Sequence, residues 1–259
     1  MDVLTLPTWK GSSQILRHDC VRDIYEYEKP PVHYDLAIET WWSVCGDKRV
    51  KKIEWDADEI IHSPIPDYFK QHEIEQNLSL IGYQDVALRQ YVSCEKMDST
   101  PEPIGIHSGS FGGVWDKKKW PYFPELVEEL LRMGRLVWNF GTEDERLGIE
   151  HKRYFEFAGR FLLGDTLKMM ASCSYFIAND SGLMHAADAL NIPLLALFGP
   201  TLITKNRPVN ENSHVLAGNL ACQTCQYTPD FSKCGSNDCL KYISVDNVID
   251  YMRKLNWLA

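Results

Sequence analysis

From Ile104 onward the chain alternates short, wholly apolar runs with stretches of helical spacing, and this alternation limits the folds open to it. Residues 104–107 form an apolar run that ends in Ser108-Gly109. Residues 124–133 place Leu126, Val127, Leu130 and Leu131 on one side of a helix, and Gly134 ends it. Residues 136–140 read as a buried strand stopped by Gly141, and 166–173 as a helix. Residues 175–178 read as a strand, 181–190 as a helix, and 193–198 as a strand closed by Gly199-Pro200. Strands without a polar face need cover on both sides. The expectation is an α/β, doubly wound parallel sheet between helices.

The first hundred residues are less regular. Residues 3–6 and 34–38 read as strands. Residues 56–80 hold a break at Ser63-Pro64-Ile65-Pro66 and then a helical stretch. The polar, proline-bearing segment Asp98-Ser99-Thr100-Pro101-Glu102-Pro103 predicts a boundary between a domain at 1–98 and one at 99–259.

Composition removes several classes of function. Hydrophobic residues make up 44% of the 259 and charged residues 24%, ordinary values for a folded chain with a core. No apolar run reaches the roughly 20 residues of a membrane helix, and the start lacks the pattern of a signal peptide, so a cytoplasmic, non-transmembrane protein is expected. The net charge is −9, with 18 acids against 11 Lys and Arg through Asp98, and 18 against 16 after it. No basic face is evident for nucleic acid, and an acidic N-terminal half is a poor match for an anionic lipid surface.

Four local patterns carry chemistry. In Ile177-Ala178-Asn179-Asp180-Ser181-Gly182-Leu183-Met184-His185 a strand ends, Asp180 and Ser181 offer capping side chains, and a helix starts at Gly182. The free N–H groups and the dipole of that first turn make an anion site suited to a diphosphate, though a plain capped helix has the same pattern. Gly105-Ile106-His107-Ser108-Gly109 leads to Asp116-Lys117-Lys118-Lys119-Trp120-Pro121, where a lysine could neutralise phosphate or the run could be a solvated loop. Gly141-Thr142-Glu143-Asp144-Glu145 puts acids after a buried strand, where they bind ribose hydroxyls or answer a helix dipole. Cys222-x2-Cys225-x8-Cys234-x4-Cys239 reads as ligands for a tetrahedral zinc or iron, or as a cluster of reduced thiols. Cys20, Cys45, Cys94 and Cys173 are isolated and read as structural.

Taken in order, these pieces resemble the ADP-heptose-dependent heptosyltransferases of lipopolysaccharide synthesis and autotransporter glycosylation. The resemblance rests on Lys118-Lys119-Trp120-Pro121, Phe140-Gly141-Thr142-Glu143, Asp180-Ser181-Gly182-Leu183-Met184-His185, Phe198-Gly199-Pro200-Thr201 and the cysteine group, and spans about 102–255. It implies a fold of GT-B type, two Rossmann-like domains facing across a cleft, here with a truncated N-terminal, acceptor-side domain. It implies a glycosyltransferase that binds ADP-heptose or a related nucleotide sugar and transfers the sugar, with inversion, to a lipopolysaccharide-core or protein acceptor. Lys118 would neutralise the diphosphate, and Ser181, Gly182 and Leu183 would cradle it. Asp180 would contact the sugar or orient the turn. Glu143 or Glu145 would hold ribose or sugar hydroxyls, and His185 completes the substrate-binding set. Some members that glycosylate autotransporters carry cysteine-ligated iron, which the cysteines at 222–239 resemble. No organic cofactor is implied.

The family opens with a strand, a Gly-Asp loop and a helix, and that loop supplies the catalytic Asp. Met1-Asp2-Val3-Leu4-Thr5-Leu6-Pro7 resembles the second strand of that domain instead, and 33–39 a later one. The expectation is that the first βα unit and its Asp are missing. Transfer would then be very slow or absent, leaving a nucleotide-sugar-binding or regulatory protein or a fragment. Self-association could cover the sheet edge so exposed. Asp19, Asp35 and Glu39 lie in no recognisable catalytic loop, and no base is nominated.

Overall fold

The structure is a computed structural model that describes residues 3–5, 24–26, 33–39, 56–62 and 70–258. Asp19, Cys20, Cys45 and the 63–66 break lie outside the described residues. The chain forms two compact units, Met1–Leu88 and Arg89–Ala259.

In the smaller unit β1 (Val3–Thr5) pairs in parallel with β2 (Ile24–Glu26), and β3 (Tyr34–Glu39) pairs in parallel with β4 (Ala57–His62). Parallel pairing requires a crossover between partners, so this unit is also of α/β character. Helix α1 (Glu73–Ser79) starts with a capping box: His72 Nδ1 accepts from the Ile74 N–H, and Glu75 reaches back to the His72 N–H at 2.8 Å.

The larger unit carries the site. Its elements are β5 (Ile104–His107), a 3₁₀ turn (Gly113–Lys118), α2 (Phe123–Arg132), β6 (Val137–Asn139), a second 3₁₀ turn (Glu143–Glu145) and β7 (Tyr154–Glu156). They continue with α3 (Leu163–Met170), β8 (Tyr175–Asn179), α4 (Gly182–Ala189), β9 (Leu194–Phe198), α5 (Ile203–Asn206) and β10 (Ser213–Ala217). The unit ends with α6 (Pro229–Lys233), α7 (Asp238–Lys241) and α8 (Val245–Lys254). The six strands lie in the order β10-β9-β8-β5-β6-β7, all parallel. The chain enters at β5, builds outward through β6 and β7, then returns to the other side of β5 with β8. The topological switch therefore falls between β5 and β8, and a crevice opens there beyond the strands' C-terminal ends.

The core explains the sequence pattern. Ile104, Ile106, Ile177, Leu195 and Leu197 pack with Leu126, Val127 and Leu130 of α2 and Val248, Ile249 and Met252 of α8. All of β9 is buried, as its uninterrupted apolar run requires. Strand β7 has no such run, because only Tyr154 of its three residues is buried.

The unit boundary falls upstream of the proline-bearing segment for a reason local sequence does not show. The Gln90 N–H donates to Asn210 Oδ1 at 3.3 Å, the Val92 N–H to Ala189 O at 2.9 Å, and the Met97 N–H to Ser172 Oγ at 2.9 Å. These bonds fasten the segment after Leu88 to the larger unit. Asn210 is itself held by the buried Asp188, whose carboxylate accepts from the N–H groups of Val209 and Asn210 and from the Ser213 hydroxyl.

Gly105 tests the packing of the central strand. A Cβ there would lie 2.5 Å from Phe176 Cδ2 and 2.9 Å from Cys173 Sγ, both in buried residues. Gly105→Ala should destabilise the larger unit by about 1–3 kcal/mol, the scale of core overpacking. Urea denaturation of parent and variant measures this, and an unchanged midpoint would contradict it.

Candidate functional site

The site grows from the two strands that flank the switch. Strand β8 ends at Asn179, which is fully buried. Its amide nitrogen donates to Ser108 O at 2.8 Å and Gly109 O at 3.2 Å, and its Oδ1 accepts the Trp120 N–H at 2.9 Å. One side chain thus fixes both ends of the loop after β5. Trp120 is anchored again by its indole N–H, which donates to Ile243 O at 2.7 Å.

Next come Asp180 and Ser181. Ser181 is extended (φ −156°, ψ 169°) and caps α4, its Oγ accepting the Met184 N–H at 3.3 Å. The first N–H groups of α4 have no carbonyl within the helix to donate to. A Cβ built on the exposed Gly182 meets no atom within 4 Å, so open space borders this helix start. Leu183 and His185 are half-buried on the same helix, and Gln90 Nε2 lies 3.5 Å from His185 Nδ1.

Lys118, at the end of the 3₁₀ turn, reaches this place from the β5 loop. Its Nζ is 3.3 Å from Asp180 Oδ2, with both side chains largely buried. Asn206, the last residue of α5, donates to the same Oδ2 at 3.1 Å. A buried pair of this kind gains little net stability, but removing one member leaves a buried charge without its counter-charge. Asp180 thereby holds a cation beside the N-terminus of α4.

The acids after β6 are separated by the structure. Glu143 is exposed and pairs with Arg146 Nη1 at 3.2 Å. Glu145 is buried, and its Oε2 accepts the Thr142 N–H at 2.8 Å in a capping box. Its carboxylate lies where a Cβ on Gly109 or Gly141 would fall. His107, at the end of β5, donates from Nδ1 to Phe140 O at 3.0 Å and lies 3.9 Å from Glu145 Oε2. Burial pulls the His107 pKa down against the opposing pull of Glu145, which favours a neutral imidazole.

The cysteine segment follows β10. Cys222 is exposed, Cys225 and Cys234 are half-buried, Cys239 is buried, and all four thiols are free. Among the described residues no group of three or more His, Cys, Asp or Glu side chains is placed to hold a metal. Backbone N–H groups of Asn237 and Ser236 draw the Cys234 thiol below its ordinary value, whereas burial pushes Cys239 up to about 11 and raises Cys225. Cys173 is buried beneath the sheet, which pushes its thiol far up, and half-buried Cys94 is raised the same way.

The lysine loop, the capped Asp180-Ser181-Gly182 turn and the open ground beside it lie together at the switch point of a parallel α/β sheet. The chain belongs to glycosyltransferase family 9 (heptosyltransferase), whose model matches residues 69–235. It is 26% identical over 221 residues to lipopolysaccharide heptosyltransferase 2 of Escherichia coli K12, covering 80% of this chain and 57% of that protein. The structure of the E. coli ADP-heptose heptosyltransferase II superposes with a TM-score of 0.66 at 18% identity, over 99% of this chain and 88% of that one. The dodecameric, iron-containing heptosyltransferase TibC in complex with ADP-D-β-D-heptose gives a TM-score of 0.65 at 15% identity, over 100% of this chain and 77% of TibC. The fold is thus the α/β fold of GT-B-type heptosyltransferases. Among the described residues no helix is long and apolar enough to cross a membrane.

Thiol reactivity checks the local electrostatics. The thiolate is the reactive species, so a lowered pKa gives more of it at neutral pH and a raised pKa less. In reduced, metal-free protein at pH 7, a thiol reagent should label Cys234 ahead of Cys225 and Cys239, and the rate at Cys234 should climb first as pH rises. Peptide mapping of a time course reads this. Equal rates at Cys234 and Cys239 would refute it.

Proposed function

We propose that the larger unit binds ADP-heptose or a related nucleotide sugar and that the protein transfers the sugar, with inversion, to a lipopolysaccharide-core or protein acceptor. The observation that carries this reading is the Lys118–Asp180 pair beside the capped start of α4, inside the segment that the family model matches.

The donor's diphosphate would take the N–H groups at Ser181, Gly182 and Leu183 and draw Lys118 from Asp180. A phosphate is a stronger partner for the ammonium than a carboxylate already shared with Asn206. Asp180, still held by Asn206, then offers its carboxylate to sugar hydroxyls rather than to the repelling phosphates. Of the two acids after β6, the exposed Glu143 is the one open to ribose hydroxyls, because Glu145 is buried and bonded to the Thr142 N–H, and His185 on α4 completes the substrate-binding set. As the sugar–phosphate bond breaks, the leaving nucleotide gains negative charge, and Lys118 and the α4 dipole stabilise it. The acceptor hydroxyl gives its proton to a base as it attacks. The acidic first hundred residues suit a protein acceptor better than an anionic lipid.

The reading extends to Cys222, Cys225, Cys234 and Cys239 as ligands of one structural zinc or iron. Four thiolates saturate a tetrahedral ion and leave no open position for chemistry, so the metal would pin the segment between β10 and α8 and no more. The thiols lie near enough to act on one another electrostatically but are not placed as a ligand set among the described residues, so binding would require the segment to close around the ion. The free thiols fit a reducing, cytoplasmic setting. Copies of the chain are proposed to self-associate.

Three measurements test the reading. Lys118→Ala should weaken ADP binding by about 1–3 kcal/mol, the scale for a lost hydrogen bond to a charged group. Calorimetry giving equal affinity for variant and parent would remove Lys118 from the site, and acceptor-dependent ADP release by the parent tests transfer. Elemental analysis of protein purified under reducing conditions should find about one zinc or iron per chain. Metal-free protein with four freely titrating thiols would end the metal proposal.

A further inference from the structure

Three consecutive lysines in the β5 loop have three different partners. Lys119 Nζ pairs locally with Asp116 Oδ1 at 2.8 Å. Lys118 pairs with Asp180. Lys117 turns the other way: its Nζ donates to Phe231 O at 2.6 Å and to Ser232 O at 2.9 Å. Both carbonyls belong to the last turn of α6, which lies between Cys225 and Cys234. The contact has a second layer. Lys117 Nζ lies 5.5 Å from the centre of the Phe231 ring, the Phe231 and Trp115 ring centres are 5.3 Å apart, and Lys118 Nζ lies 5.5 Å from the Trp115 ring centre. A third tie runs from Asn237 Nδ2 to Lys119 O at 3.5 Å.

We infer that Lys117 is a positioning residue that fastens the loop carrying Lys118 to the cysteine-bearing segment, so that the state of that segment sets nucleotide affinity at Lys118. The inference rests on the donor-site reading above and adds a coupling that reading does not contain. The cysteines frame the carbonyls that Lys117 holds. The Thr228 N–H, at the start of α6, donates to Cys225 O at 2.8 Å, and the Cys234 N–H, at its end, donates to Asp230 O at 2.9 Å. A change at either cysteine moves the last turn of α6, and Lys117 and Trp115 pass that movement to Lys118. The ties lie at the edge of the unit, outside the apolar core cluster, so the loop can be shifted without unfolding the domain. Linkage makes the coupling reciprocal: whatever the segment does to nucleotide affinity, the nucleotide does to the segment.

The test uses the whole reduced chain with ADP as probe. Dissociation constants are measured for the parent, Lys117→Ala and Lys117→Arg, each before and after alkylation with N-ethylmaleimide. Lys117→Ala should weaken ADP binding about 3- to 10-fold, the scale of one lost hydrogen bond. Lys117→Arg retains donors for both carbonyls and should bind like the parent. Alkylation should weaken the parent by a similar factor and add nothing in Lys117→Ala, because the link is already cut. Full affinity in the alkylated parent, or losses that multiply, would overturn the inference. Should alkylation unfold the parent, Cys234→Ser takes its place in the same cycle. A second readout needs no nucleotide: Lys117→Ala should speed alkylation of Cys225, and Lys117→Arg should not. A parent that fails to bind ADP defeats the donor-site reading, and the alkylation rates then decide the coupling alone, unchanged rates in Lys117→Ala overturning it.

Discussion

The buried side chain of Asn179 is the constraint on which the rest of the site depends. A strand end at a switch point leaves the carbonyls of the neighbouring loop without ladder partners. Asn179 meets this with two donated bonds to Ser108 and Gly109 and one accepted from Trp120. A primary amide is suited to the task because it donates and accepts at once. An Asp in its place could not donate to the two carbonyls, and a Leu would leave all three backbone groups unpaired. With the loop fixed at both ends, Lys118 has one route to travel, toward Asp180. Asn206 also donates to Asp180, so a neutral amide shares the carboxylate with Lys118.

The sheet was legible where burial is two-sided. Apolar runs marked β5, β6, β8 and β9, and the structure places those strands within a residue or two of the expected bounds. Helix α3 begins three residues before the expected 166, at a start that no side chain caps and that the sequence therefore does not mark. Strand β7 left no signal at all, being three residues long with an exposed Phe155 at its centre. The unit boundary was displaced because it depends on bonds from Gln90 to Asn210 and from Met97 to Ser172, partners far away in sequence.

The site was legible as an order of motifs and illegible as a set of partners. Asp180, Ser181 and Gly182 stand out in the sequence by strand-end and capping chemistry, and Lys118 by the resemblance of Lys118-Lys119-Trp120-Pro121 to the family's element. Their supports, Asn179, Asn206 and Lys117, are ordinary residues whose roles arise only from what the fold brings near. The differing burial of Glu143 and Glu145 had a readable signal, since Thr142-Glu143-Asp144-Glu145 has the spacing of a capping box and so commits Glu145 to the backbone. Among the early acids, Asp35 lies exposed on β3, Glu39 ends that strand, and Asp19 falls outside the described residues.

The seat of Glu145 has a consequence for how this sequence can drift. Its carboxylate occupies the volume that side chains at Gly109 and Gly141 would fill, and Gly141 also holds a positive φ of 148° that other residues rarely adopt. The three positions form one lock with a single key. A methyl group at 109 is compatible only with a shorter residue at 145, and a shorter residue at 145 releases the Thr142 N–H. Relatives diverging from this chain would have to exchange these residues together or keep all of them, so the corner between β5 and β6 should change in jumps.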